Sequence, residues 1–193
     1  MRKAMQLFGI LNDDDVEWVA EAGSARFLDA GTTLIEEKAS IDSIYILLDG
    51  ELTVCIRGGG DIEVARLYAG EIVGEISFVD SRPPLASVIA RQDSLVWVLK
   101  REALTRKLGS DDGFAARFYR SIAAFLAGRL YVTTGRLGYG SERQDEELDE
   151  LPESEMESVS MGSYRFDALL RRLRSDYSAR IESASPVIQS SLL

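Results

Sequence analysis

Between Ala25 and Leu99 the apolar residues come in short β-rich runs, each closed by turn residues, and this grammar constrains the chain more than any other feature. Ser43-Ile44-Tyr45-Ile46-Leu47-Leu48 ends at Asp49-Gly50, a pair that favours a tight reversal. Leu52-Thr53-Val54-Cys55-Ile56 follows, then Gly58-Gly59-Gly60, then Ile62-Glu63-Val64-Ala65-Arg66-Leu67, which reads as hairpins. Ala86–Ala90 and Ser94–Leu99 add two more strands. Strands this short, at regular spacing, predict a mainly-β barrel or sandwich.

Helical periodicity brackets this region. A short helix is expected from about Asn12 to Ala22, with Asn12 or Asp13 as cap, Val16, Val19 and Ala20 on one face, and Gly23 at its end. After Lys100, Phe114, Phe118, Ile122, Phe125, Leu126, Leu130 and Leu137 recur at helical spacing, with Asp111 or Asp112 at the start. Residues 138–163 carry nine acidic groups and one basic group, so an acidic disordered linker is expected there. Residues 164–182 turn helical again. Phe166, Leu169, Leu170, Leu173, Tyr177 and Ile181 form one stripe, and Arg171, Arg172, Arg174 and Arg180 lie largely off it.

Composition excludes several chemistries. The chain of 193 residues has no histidine, which removes imidazole metal sites and histidine-based triads. Its one cysteine, Cys55, allows neither an internal disulfide nor a thiolate zinc cluster. A net charge of −10 disfavours phosphate neutralisation, the main source of non-specific nucleic-acid affinity. No run of 18 apolar residues appears, so no transmembrane segment is expected, and neither is a secretory signal; the expected location is the cytoplasm.

The stretch from Gly70 to Val88 resembles the phosphate-binding cassette of cyclic-nucleotide-binding domains, the family of the catabolite activator protein and the protein kinase A regulatory subunit. The resemblance rests on Gly50, Gly70, Gly74-Glu75 and Ala86-Ser87 in this order, and it covers roughly residues 7–137. It implies a jelly-roll-like β-roll (a double-stranded β-helix) flanked by an N-terminal helix and a long C-terminal hinge helix. Three segments result: a β-roll with hinge helix over 1–137, the linker over 138–163, and an amphipathic helix with flexible tail over 164–193.

In that family a glycine turn opens a short helix whose free N–H groups face the cyclic phosphate. The resemblance makes Gly74, Glu75, Ile76, Ser77, Arg82, Ala86 and Ser87 candidate ligand residues. Glu75 corresponds to the acceptor of the ribose 2′-hydroxyl; its alternative role is to cap the cassette helix through the helix dipole. The arginine that pairs with the phosphate normally follows by nine or ten residues, but those positions hold Pro84 and Leu85. Proline also lacks an N–H donor. Arg82, two residues earlier, either reaches the phosphate or is a solvated loop arginine. Thr133 and Thr134 match the segment that reads the adenine edge.

The resemblance implies no cofactor, a cyclic AMP or cyclic GMP ligand, and a non-catalytic regulatory or sensor module with weakened or altered nucleotide binding. The alternative is a dimeric scaffold with a vestigial pocket that recruits a partner through its C-terminal helix. A homodimer through 114–134 is expected, because that apolar stripe exceeds what the β-roll can cover. A protein partner is expected for 164–193, with folding back onto the β-domain, dimer pairing and a membrane surface as other fates of that helix. No DNA binding is expected, since 30 residues after the linker are too few for a winged helix-turn-helix.

Overall fold

The computed structural model describes residues 8–58, 62–139 and 160–172. Helix α1 (Asp13–Ala22) leads into strands β1 (Ser24–Leu28), β2 (Thr33–Ile35), β3 (Ser43–Asp49), β4 (Glu51–Ile56), β5 (Ile62–Tyr68) and β6 (Ile72–Val73). A short helix α2 (Glu75–Asp80), strands β7 (Ser87–Ala90) and β8 (Ser94–Lys100), and helices α3 (Arg101–Ser110) and α4 (Asp112–Tyr139) follow. Helix α5 spans 160–172.

The strands form two antiparallel four-stranded sheets, ordered β1-β8-β3-β6 and β2-β7-β4-β5. This corrects the mainly-β, jelly-roll-like expectation. Neither sheet closes on itself, and more of the described residues are helical than extended. The five expected strand runs are present as β3, β4, β5, β7 and β8, with β1, β2 and β6 in addition, but short strands alone do not reveal how much helix must cover them. Helix α3 was not foreseen at all: Leu104 is its one buried residue, too little for a periodic signal.

Strand β3 shows why the helices are needed. Ile44, Ile46 and Leu48 face a core built with α1 and α4, whereas Tyr45 and Leu47 face the core between the sheets. Strand β8 divides the same way, with Trp97 and Leu99 toward the helices and Val96 and Val98 toward the other sheet. Consecutive side chains of a strand point to opposite faces, so a continuous apolar run requires cover on both sides. The Asp49-Gly50 pair is accordingly no hairpin. Gly50, at φ +98°, carries the chain from one sheet to the other, with the Ser94 side chain packed where a Cβ would stand. The β4–β5 hairpin forms as expected.

Asn12 caps α1 in a reciprocal box: its Oδ1 accepts from the Asp15 amide at 2.8 Å and its own amide donates to Asp15 Oδ2 at 2.9 Å. The same carboxylate receives Arg117 Nε at 2.6 Å and Nη2 at 2.9 Å, which ties α1 to α4. Phe114, Phe118, Ile122 and Phe125 are each at most 4% exposed within one chain. These four residues of the stripe are covered by the helical core of their own chain.

Helix α5 also folds back within the chain. Phe166 and Leu169 join the helical core, and Phe166 meets Phe8 at 5.5 Å between ring centroids. Arg165 donates to the carbonyls of Phe8, Gly9 and Leu11 and pairs with Asp13, and Arg172 pairs with Glu17 and Glu21. The first part of the stripe expected to await a protein partner is thus occupied in cis. Residues 138–139 belong to α4 and 160–163 to α5; 140–159 and 173–193 lie outside the described residues.

Burial pushes the Asp15 carboxyl up, but the Arg117 bonds and the Asn12 amide bring it below its ordinary value of 3.8. A depressed carboxyl contributes stability that is complete above its unfolded value and is lost as pH falls through the folded one. Asp15→Asn is expected to cost about 1.5 kcal/mol at pH 7, the low end for a bond to a charged group because Arg117 is partly exposed. In urea unfolding, the gap between variant and parent should shrink as the pH falls below 3.8.

Candidate functional site

Strand β6 pairs with β3, Val73 opposite Tyr45, and the chain then turns sharply at Gly74. Gly74 has φ +91°, and a Cβ there would stand 3.0 Å from the Ser43 carbonyl oxygen. Glycine is required on both counts, and the turn opens α2 with Phe78 N–H donating to the Gly74 carbonyl at 3.1 Å. Ser81, at φ +58°, ends the helix. Arg82-Pro83-Pro84-Leu85 then runs back to β7, with the Pro84 carbonyl accepting the Lys38 amide at 2.8 Å. Both prolines follow trans peptide bonds.

This cassette closes over a cavity of about 190 Å³. Gly74, Glu75, Ile76, Ser77, Arg82 and Ala86 line it, as the sequence suggested. The other three candidates do not. Ser87 is fully buried on the opposite face of β7, where its Oγ accepts the Glu37 amide at 3.0 Å; Val88, the next residue, faces the cavity. Thr133 and Thr134 are exposed on α4 away from the lining, and the Thr133 hydroxyl donates to the Arg129 carbonyl at 2.8 Å.

Sequence reasoning missed Arg129. It reaches from α4 into the cavity wall, donates to Glu75 Oε1 at 2.6 Å and to the Ile72 carbonyl at 3.2 Å, and lies 3.5 Å from Glu71 Oε2. Its guanidinium stacks 4.4 Å from the Phe125 ring centroid. The signal was present: Arg129 falls four residues after Phe125 on the buried stripe, and a cation on such a stripe needs an anion. Arg101 was missed as well. It donates to the Ser77 carbonyl and lies 5.0 Å over the Phe78 ring, holding α2 against α3.

Glu75 is 2% exposed. Burial pushes its carboxyl up, Arg129 and its own backbone amide pull it down, and Glu71 adds to the rise. Arg82 points outward and pairs with Asp80, two residues earlier. Among the described residues no group of three or more His, Cys, Asp or Glu side chains is placed to hold a metal ion.

Removing one member of a buried pair strands the other charge. Arg129→Met is expected to destabilise the chain by about 3 kcal/mol or more, whereas adding Glu75→Leu should recover most of that loss. Urea unfolding of the two variants checks this; equal losses in both would show that Arg129 acts through packing instead.

The sequence profile described as the cyclic nucleotide-binding domain matches residues 25–111. The chain is 29% identical over 117 residues to a cAMP-dependent protein kinase regulatory subunit of Blastocladiella emersonii, covering 60% of this chain and 29% of that one. The corresponding subunit of Aspergillus fumigatus is 37% identical over 93 residues, covering 47% and 22%. The chain therefore spans less than a third of either relative. Among solved structures, a cyclic nucleotide-binding domain from Methylobacillus flagellatus superposes with a TM-score of 0.64 at 22% identity, over 70% of this chain and 80% of that one. The Thermus thermophilus catabolite activator protein gives 0.57 at 20% identity, over 86% and 87%. At such identities the structures speak for the fold alone, but the profile match and the cassette at Gly74–Glu75 coincide: through residues 25–111 the chain belongs to the cyclic nucleotide-binding domain family.

Proposed function

We propose that the chain is a non-catalytic regulatory module whose cavity has lost strong cyclic-nucleotide binding. The observation that carries this reading is the state of the cavity's cations. Arg82 is paired with Asp80, and Arg129 with Glu75 and the Ile72 carbonyl. Pro84, in the place where the family resemblance expects the phosphate arginine, offers neither a charge nor an N–H. A bond to a charged group contributes about 1.5–3 kcal/mol, so its loss weakens a site roughly ten- to a hundredfold.

Regulation runs through α4. Arg129 joins that helix to the cassette, so a ligand that competes for Glu75 acts on α4 at the same moment. The change is driven by the difference in ligand affinity between the two positions of the helix. A second copy of the chain is the partner that suits α4. With Phe114, Phe118, Ile122 and Phe125 buried, the residues left to meet it are Tyr119, Leu130 and Tyr131, all exposed. No described helix is long and apolar enough to cross a membrane.

Isothermal titration with cyclic AMP and cyclic GMP tests the reading. Wild type is expected to give no micromolar binding, and Pro84→Arg to gain at least about tenfold. Micromolar binding by the wild type would overturn the proposed loss; silence from both proteins would show that more than one residue separates this cavity from a nucleotide site.

A further inference from the structure

The wall of the cavity is mostly hydrocarbon. Ile35, Val54, Leu67, Val73 and Val88 form its floor, contributed by both sheets. Ile76, Pro83, Pro84 and Leu85 form its lip. Leu85 is 83% exposed and Ile76 is 53% exposed, so large apolar side chains stand open to solvent beside an apolar hollow. Its ionic groups, Glu75 and Asp80 against Arg82 and Arg129, balance, and each of the two cations already has a carboxylate partner.

An anion seeking a cation in this space has two routes, and the one through the buried pair is costly. It can take Arg129 from Glu75, leaving a carboxylate buried without its partner. Or it can draw Arg82 away from Asp80, an exposed pair that costs little to part, into a wall where Pro83 and Pro84 offer no N–H. An uncharged ligand disturbs neither pair and gains from covering the apolar wall. A carboxylate has about four acceptor positions. Arg129 occupies one of these positions on Glu75, so the side chain keeps capacity for a hydroxyl donor. The volume of about 190 Å³ is somewhat larger than the ~150 Å³ cavities that accept benzene.

We propose that this cavity takes a small uncharged ligand, apolar over most of its surface and carrying one hydroxyl, in preference to an anion. The inference rests on the reading of the cavity as the chain's ligand site and specifies what that site selects. A substituted aromatic ring or a short branched alcohol has the required size and polarity.

The test uses a matched pair of probes on the full chain, 4-fluorobenzyl alcohol and 4-fluorobenzoate, followed by fluorine NMR. They differ little in size and by one charge. The alcohol is expected to bind saturably and at least about tenfold more tightly than the carboxylate. Ala86→Trp, which fills the cavity mouth, should weaken the alcohol by a similar factor. Ile76→Trp at the exposed lip serves as a second block if the first variant does not fold. Pro84→Arg should narrow or invert the preference. Equal or tighter binding of the carboxylate, no saturable binding of the alcohol, or alcohol binding unchanged in a folded blocking variant would each overturn the proposal. None of these results touches the regulatory reading, which fails separately if wild type binds cyclic AMP in the calorimeter.

Discussion

Strands β3 and β8 are apolar on both faces, and most of the architecture follows from covering them. One face is closed by the second sheet through Leu52, Leu67 and Val88. The other is closed by α1, α4 and α5 through Val16, Phe118 and Phe166. Because β6 hangs on the free edge of β3, the cassette that follows it is held against the helical layer. That brings Glu75 and Arg129 together although 54 positions of sequence separate them. The site is a by-product of how one sheet is buried twice.

The helical layer is pinned by charge as well as by hydrocarbon. Two buried carboxylates, Asp15 and Glu75, each meet an arginine of α4, Arg117 and Arg129. At 1.5 Å per residue these arginines stand about 18 Å apart along the helix. α4 is therefore clamped to α1 near one end and to α2 further along. Burying a carboxylate without such a partner costs several kcal/mol, so these arginines are committed to the fold. The same commitment shapes the cavity. A guanidinium that neutralises Glu75 is not free for a phosphate, and Arg82 has its own partner in Asp80. Structural pairing and the apolar lip at Leu85 act in one direction, toward ligands without charge.

Much of this was legible in the residues. The α1 cap at Asn12, the β4–β5 hairpin and the turn at Gly74 follow from local pattern, and six of the nine candidate ligand residues line one cavity. The errors share one origin. Asp49-Gly50 looked like a hairpin because turn chemistry is local, whereas the partner of β3 is β8, far along the chain. Ser87 stands outside the cavity lining although Ala86 and Val88 belong to it, because a strand sends neighbouring residues to opposite faces. Phe114, Phe118, Ile122 and Phe125 on α4 find their cover in elements from the two ends of the described chain, which no local pattern reveals.

The sequence by itself determined five of the eight described strands, where the cassette turn must lie, and that imidazole and thiolate-cluster chemistry are absent, since these depend on local periodicity, backbone sterics and composition. Only the tertiary structure decided that the sheets stay open, that Arg129 and not the threonines beyond it faces the cavity, and that α5 packs onto its own chain. Those outcomes depend on burial and charge pairing between residues far apart in sequence, and such energies have no value until the partners are in place.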